Sequence, residues 1–549
     1  MGYLELFAVV PGLILFLYGI EHFSEEILKV AGDKFRSLLG KLTKTPVRGT
    51  VLGALVTSVV QSSTATTVIA VSLVNAGTIS FEQSLGVIIG ANVGTTITAQ
   101  LVAFKLTAFA PLFILIGFLL SLAPSRYRFV GRPIFYFGLV FFSLTLISGA
   151  IDPFKSDPGL TALLSSLSAP IVALVAGVLF TVVFQSSSVT TGLVVVLAGS
   201  GMISLEQSIP ILLGANIGTT TTSLLAAAGM SLHAKRAAIA HLLFNLLGAA
   251  IFFPFLGTFA DIVALTAGSA ALQVANAHMI FNVACAVIFI AAIRPFKALV
   301  TLLVPGSEEE ILYRTKYLND KLPEDNREAF GLIEKELRHS MDIVLSLFDE
   351  SIGAVKGLNH VDFRKIEKLE SLSDYLDDRI EQSILVISHR KLDEREASHV
   401  VLLARISNAV ENLGDDGAGI GSRAKSMAET GLRLSPDSIH ELEFGYAKLR
   451  ENIEEARDAL PLITAEVSAR MRDNDNILRV IINASYRSHL QRLYSQKAYA
   501  GTTFVELLSS LEAADYKVRE MRKLMEGYRT ADPAGLYVLA PQAVVPPKG

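Results

Sequence analysis

Across positions 1–304 apolar residues dominate in long runs, and polar residues interrupt those runs at a few defined places. Stretches near 3–20, 107–123, 134–151, 237–260 and 278–304 are apolar over lengths suited to the roughly 30 Å of bilayer hydrocarbon. Between the first two lies a charged, amphipathic segment, 21–48, which reads as a helix at the interface or against a bundle. From about 308 to 528 the pattern changes to helical periodicity with few breakers, as in 333–348, 361–387 and 397–413, punctuated later by Pro436 and Pro461. Strand alternation is scarce. The expected fold class is therefore all-α: a polytopic membrane domain, then a soluble helical bundle.

Charge sharpens that division. Positions 1–304 hold 15 basic and 10 acidic residues, a net of +5; positions 305–549 hold 33 and 42, a net of −9. The step at Pro305-Gly306 predicts a membrane transport domain over 1–304, a helical bundle over 305–530 and a Pro-rich, disordered tail over 531–549. The acidic balance argues against a nucleic-acid partner. A single cysteine, Cys285, excludes an internal disulfide framework and a cysteine-based metal site within one chain. Glu5 stands where a cleavable signal would be basic, so 7–20 reads as the start of a membrane helix. Arg126, Arg128 and Arg132 share one loop, and Arg294 and Lys297 flank the last apolar stretch. By the positive-inside tendency these sides are cytoplasmic, which puts the C-terminal domain in the cytoplasm of a multi-pass inner-membrane protein.

An internal repeat carries the most information. Residues 53–98 align without a gap on 177–222, with 24 identities in 46 positions, many of them polar. Gln61-Ser62-Ser63-Thr64 with Thr66-Thr67 recurs as Gln185-Ser186-Ser187-Ser188 with Thr190-Thr191. Glu82-Gln83-Ser84 recurs as Glu206-Gln207-Ser208, and Gly90-Ala-Asn92-Val-Gly94-Thr95-Thr96 as Gly214-Ala-Asn216-Ile-Gly218-Thr219-Thr220. Duplicated polar motifs that interrupt short apolar segments are the mark of a secondary transporter with broken helices. Irregular backbone at membrane depth is tolerated only inside protein or beside a watery cavity. Each repeat is thus expected to hold a re-entrant hairpin and a discontinuous helix whose polar tips meet. Gly90, Gly94, Gly214 and Gly218 are read as part of the break, with helix packing as the competing reading.

The chemistry of such tips is uncharged. No Lys or Arg lies between Arg48 and Lys105 or between Lys155 and Lys235, and the only acids in those windows are Glu82, Asp157 and Glu206. Hydroxyls and helix N-termini donate to anionic oxygens. The same hydroxyls, with amide and backbone carbonyls, are hard ligands for an alkali cation. A neutral cage holds a multivalent anion poorly, because desolvating an unpaired charge costs several kcal/mol. A cation a few ångströms away offsets about 4 kcal/mol per unit pair at an effective dielectric of 20. The pattern therefore favours a cation-coupled anion carrier. Catalysis is not expected: no His, Asp or Lys stands in either cluster to activate a serine. His233, His241 and His278 have no companions at metal-ligand spacing and read as interior or interface residues.

The paired Gln-Ser-Ser clusters and paired Gly-Ala-Asn-x-Gly-Thr-Thr segments resemble the type II sodium/phosphate cotransporters and their bacterial relatives over roughly 1–304. The resemblance implies sodium-driven symport of inorganic phosphate through inverted repeats. It places phosphate on Ser62, Ser63, Ser186, Ser187 and Ser188. It places sodium around Gln61, Thr64, Thr66, Asn92, Thr95, Gln185, Thr190, Asn216 and Thr219. The family usually has three serines in both clusters, and here the first ends in Thr64, which keeps a hydroxyl.

In the soluble half, Glu411 with Asp415 and Glu370 with Asp374 are carboxylate pairs one helical turn apart, which spacing alone reads as solvated faces. The segment from Asn408 to Ala418 resembles the signature of PhoU-like domains, tandem three-helix bundles. That resemblance implies regulation by phosphate status, a divalent or transition metal at Glu370, Asp374, Glu411 and Asp415, and a homodimer. Two alternatives stay open: a non-transporting phosphate sensor, and a symporter for another oxyanion or coupled to protons.

Overall fold

The duplicated segments start their helices with the same local chemistry. Ser80 and Ser204 each accept a hydrogen bond from the backbone N–H three residues on, and Gln83 and Gln207 reach back to the Ser80 and Ser204 backbone, so both helices open with a capping box. Pro46 and Pro170 occupy first-turn positions, where proline's missing N–H is harmless.

The computed structural model describes residues 9–104, 106–123, 125–154, 157–306, 310–319, 321–358, 362–495 and 502–531. The beginning of the first apolar stretch and the Pro-rich tail lie outside the described residues. The chain divides into two units, Met1–Glu310 and Ile311–Gly549. Among the described residues both are helical and neither contains a strand.

In the first unit the helices are α1 (Val9–Leu42), α2 (Pro46–Val60), α3 (Ser63–Asn75), α4 (Phe81–Gly94), α5 (Thr96–Ala103), α6 (Ala110–Ser121), α7 (Ser125–Ile151) and α8 (Pro158–Ser165). They continue as α9 (Pro170–Phe184), α10 (Ser187–Gly199), α11 (Leu205–Gly218), α12 (Thr220–Ala227), α13 (Leu232–Phe252), α14 (Leu256–Ala264), α15 (Ala270–Ala291) and α16 (Ile293–Leu303). Among the described residues, five helical stretches are long and apolar enough to cross a bilayer: Phe81–Ala103, Tyr127–Ile151, Leu205–Ala227, Leu232–Ala264 and Ala270–Ala291. The apolar run at 107–123 forms only a shorter helix, and that at 278–304 is divided at Ala292.

Two expectations are corrected here. The charged segment after the first apolar stretch is no separate helix, although Leu39 near its end packs in an apolar cluster with Val56 and Val87, as the reading against a bundle expects. It continues α1, whose 34 residues extend about 51 Å at 1.5 Å per residue. The break expected across Gly90–Thr96 and Gly214–Thr220 shrinks to one residue in each repeat, Thr95 and Thr219. The cause is local satisfaction of the polar groups. Asn92 Nδ2 donates to the Ile88 carbonyl at 2.9 Å, and the Thr96 and Thr220 hydroxyls donate to Val93 and Ile217 at 2.7 and 2.8 Å. The helix thus runs on past them.

The motif glycines serve packing. A Cβ on Gly53 would fall 2.3 Å from the Val87 carbonyl oxygen, and one on Gly90 2.1 Å from that of Thr50. In the second repeat the corresponding contacts are Gly177 to Ile211 at 2.2 Å and Gly214 to Leu174 at 2.0 Å. Only glycine lets α2 lie backbone to backbone on α4, and α9 on α11.

The second unit is two groups of three helices. α17 (Asn326–Lys356), α18 (Phe363–Ser388) and α19 (Glu394–Thr430) pack together, as do α20 (Pro436–Ala459), α21 (Ala465–Tyr494) and α22 (Thr503–Ala531); α19 and α22 pack across the groups. Their apolar faces bury Leu337, Met341, Phe348, Leu403, Leu449 and Leu511 in one core.

Candidate functional site: a cavity between the duplicated tips

The abrupt change of direction in each repeat falls at glutamine. Gln61 and Gln185 have φ of 60° and 51°, and among the described residues no other non-glycine residue has positive φ. A left-handed L-residue costs about 1–2 kcal/mol. The strain ends α2 and α9, and the next residue starts a new helix: Ser62 and Ser186 are extended N-caps whose hydroxyls accept from Ala65 N and Val189 N. The chain then folds back. Thr57 Oγ1 donates to Thr66 Oγ1 at 2.9 Å, and Thr181 meets Thr190 at 2.6 Å. Nine residues of continuous helix would separate such pairs by about 13.5 Å.

Both turns open into one cavity of about 310 Å³. Gln61, Ser62, Ser63 and Thr64 line one side of it and Gln185, Ser186, Ser187 and Ser188 another, with Thr222 beside them. The N-termini of α3 and α10 therefore converge on the same space, each carrying about half a positive charge and unbonded N–H groups. The first tip also touches the joint of the second repeat: Thr64 Oγ1 lies 3.3 Å from Thr219 Oγ1.

Eight of the residues selected from sequence thus line the cavity. The others stand behind it. Thr66 and Thr190 also donate to the Ser62 and Ser186 carbonyls, bracing the tips. Asn92 is buried and bonded within α4, Thr95 is buried at the joint, and Asn216 belongs to a polar network.

That network was not foreseen, although the sequence holds its signal: His241-x-x-Phe244-Asn245 recurs as His278-x-x-Phe281-Asn282. Asn216 Nδ2 donates to Asn282 Oδ1 at 2.9 Å, and His278 Nε2 lies 3.1 Å from Asn216 Oδ1. His241 Nδ1 lies 3.0 Å from the Ser223 hydroxyl. The two histidines hold the chain on either side of the Thr219 joint.

The neutral cage expected from sequence is corrected as well. α1 forms a wall of the cavity through Leu17, Ile20, Glu21, Ser24, Glu25 and Leu28, bringing in two carboxylates, while among the described residues no Lys, Arg or His lines it. Charge windows along the chain could not include a helix that joins the tips only on folding.

In the second unit, Glu370 and Asp415 line one cavity of about 410 Å³, beside a Lys425–Glu367 ion pair at 2.7 Å. Burial, then Asp374 and Asp415, raises the Glu370 carboxyl above its ordinary pKa; burial followed by Asp415 does the same to Asp374 and Glu411. Among the described residues, however, no three His, Cys, Asp or Glu side chains converge as a metal site would require. The metal expected at Glu370, Asp374, Glu411 and Asp415 therefore lacks a ready-made ligand set, because the acids share a face without sharing a centre.

Known proteins resemble this chain over most or part of its length. A family model described as Na+/Pi-cotransporter matches it twice, over residues 15–149 and 154–292. The Bacillus subtilis (strain 168) protein YqeW, whose name assigns no function, is 31% identical over 266 residues, 48% of this chain and 86% of that protein. YjbB of Escherichia coli (strain K12), named as a candidate inorganic phosphate export protein, is 25% identical over 505 residues, 90% of this chain and 92% of its own. Human sodium-dependent phosphate transport protein 2C is 52% identical over 81 residues, 14% of each chain. No solved structure matches the chain. With two tandem matches over the duplicated tips, and a relative covered over most of its length, the chain belongs to the Na+/Pi-cotransporter family.

Proposed function

We propose that this chain carries inorganic phosphate across the inner membrane by symport with sodium, through re-entrant hairpins in inverted repeats. The observation that carries the reading is the meeting of both Gln-Ser-Ser tips in one cavity. Phosphate oxygens accept from the hydroxyls of Ser62, Ser63, Ser186, Ser187 and Ser188 and from the first N–H groups of α3 and α10. Gln61, Thr64 and Gln185 offer hard oxygens to sodium at the edge of that anion site. Thr66, Thr190, Asn92, Thr95, Asn216 and Thr219 act behind them, fixing the tips and joints. Because the cavity wall holds carboxylates and, among the described residues, no basic side chain, a dianion enters favourably only with cations beside it.

Direction follows the gradients. An inward sodium gradient drives uptake, and the name of the Escherichia coli relative supports a second reading, net phosphate export. The second unit, two three-helix groups, is proposed as a cytoplasmic PhoU-like domain that adjusts transport to phosphate status.

Labelled phosphate uptake into proteoliposomes, with sodium, potassium and proton gradients imposed in turn, tests the reading. Accumulation driven by sodium alone supports it. Accumulation driven by protons replaces the coupling ion, and binding without accumulation makes the protein a sensor.

A further inference from the structure

We propose that Glu21, Ser24 and Glu25 on α1 form a sodium site on the wall of the tip cavity, separate from the duplicated motifs. This rests on the reading of the cavity as a cation-coupled phosphate site and names the residues that recruit one of the cations.

Three independent observations converge. First, Glu21 and Glu25 lie four residues apart, on one face of α1, and both line the cavity with Ser24 between them. Second, neither carboxylate is ion-paired among the described residues; Lys29, one turn on, pairs instead with Glu26 at 2.9 Å, and Arg132 approaches that same Glu26 at 3.6 Å. Third, four nearly buried serines line the cavity with hydroxyls that bond no described neighbour. Ser24, Ser63, Ser187 and Ser188 are 8%, 4%, 4% and 7% exposed, and none of their hydroxyls bonds another described residue. Hydroxyls of nearly buried residues that open onto a cavity and bond no described neighbour are placed to meet a ligand there.

The chemistry on the two sides is opposite. The tips offer hydroxyl O–H groups and two helix N-termini, which suit an anion. The α1 wall offers carboxylate and hydroxyl oxygens, which suit a hard cation. An anion on the tips and a bare pair of carboxylates opposite would repel. A sodium ion between them is attracted by both, so occupancy of one side favours the other, and this is positive coupling between two ligands. Glu21 and Glu25 are both exposed, so sodium can arrive first and admit the anion.

The test uses the full-length protein with sodium chloride and inorganic phosphate as probes. Sodium-dependent thermal stabilisation of the purified protein and sodium-dependent phosphate uptake are measured for wild type, Glu21→Gln, Glu25→Gln and Ser24→Ala. Glu21→Asp serves as the charge-retaining variant, and Glu26→Gln as a control on the opposite, ion-paired side. The expected result is a rise of about tenfold or more in half-saturating sodium for both Gln variants, from loss of one nearby charge, with a smaller rise for Ser24→Ala. Glu21→Asp recovers most of the loss, and Glu26→Gln leaves sodium dependence unchanged. Sodium dependence that is unchanged in the Gln variants while wild type responds overturns the site and leaves symport standing. So does tighter phosphate binding without sodium in those variants, which would make the acids a simple anion barrier. A wild type indifferent to sodium removes the underlying reading itself.

Discussion

In the first repeat Gln61 is buried and takes a hydrogen bond from Thr98 at 2.7 Å, so the tip is tied to the helix that follows its own joint. Its counterpart Gln185 stands exposed at the cavity edge. The asparagines reverse that asymmetry. Among the described residues Asn92 is bonded only along its own helix, whereas Asn216 is locked to Asn282 and His278 on α15. The same duplicated residues therefore hold a tip in one half and a joint in the other. The second repeat's α11–α12 pair is anchored to the surrounding helices, and through Thr219 it supports the Thr64 side of the first tip. Duplication supplied two equal sets of polar groups, and the helices outside the repeats, α1, α13 and α15, make them unequal.

The largest expected effect comes where the halves are equivalent. Ser63 and Ser187 are both nearly buried residues that line the cavity. A hydrogen bond to a charged group contributes about 1.5–3 kcal/mol, so Ser63→Ala with Ser187→Ala is expected to cut phosphate uptake about a hundredfold or more while the purified protein stays monodisperse. Each single variant should lose a similar share; a loss confined to one would assign the anion to one tip. Next in size is the shared packing. Gly90→Ala and Gly214→Ala each force a methyl onto a carbonyl, at a cost of about 1–3 kcal/mol or more, and thermal unfolding should register equal losses.

How much of this was legible in the sequence follows from how each feature arises. The tips could be read because Gln-Ser-Ser recurs in register with polar identities that apolar bias cannot produce. The all-helical fold could be read from periodicity. The helix break was over-read: Asn, Gly and Thr look disruptive in an apolar run, but Asn92 and Thr96 bond carbonyls of their own helix and the glycines admit a neighbouring backbone. The cavity carboxylates were unreadable, since Glu21 and Glu25 are distant from both motifs in the chain. The His-x-x-Phe-Asn pair was visible but unweighed, because its spacing matches no metal site and its meaning lies in contacts to Asn216 and Ser223.

Two smaller effects should separate the halves. Asn216→Ala leaves Asn282 and His278 without their partner, and unsatisfied buried groups cost about 1–3 kcal/mol each. Asn92→Ala removes one bond along its helix, worth about 1 kcal/mol. Thermal unfolding should therefore rank Asn216→Ala clearly below Asn92→Ala, and equal losses would erase the proposed asymmetry. The smallest contrast is at the turn residues. Gln185→Gly relieves left-handed strain with no hydrogen bond lost, and should stay within about 1 kcal/mol of wild type. Gln61→Gly also loses the bond from Thr98 and the one its Nε2 donates to the Ser58 carbonyl, and should fall below it by about 1–3 kcal/mol.

Equilibrium binding of labelled phosphate to the purified full-length protein, counted per chain in sodium and in potassium, tests most directly whether two tips make one cation-dependent site. One phosphate per chain in sodium, with affinity lost in potassium, is the predicted result. Two phosphates per chain, or equal affinity in potassium, would contradict it.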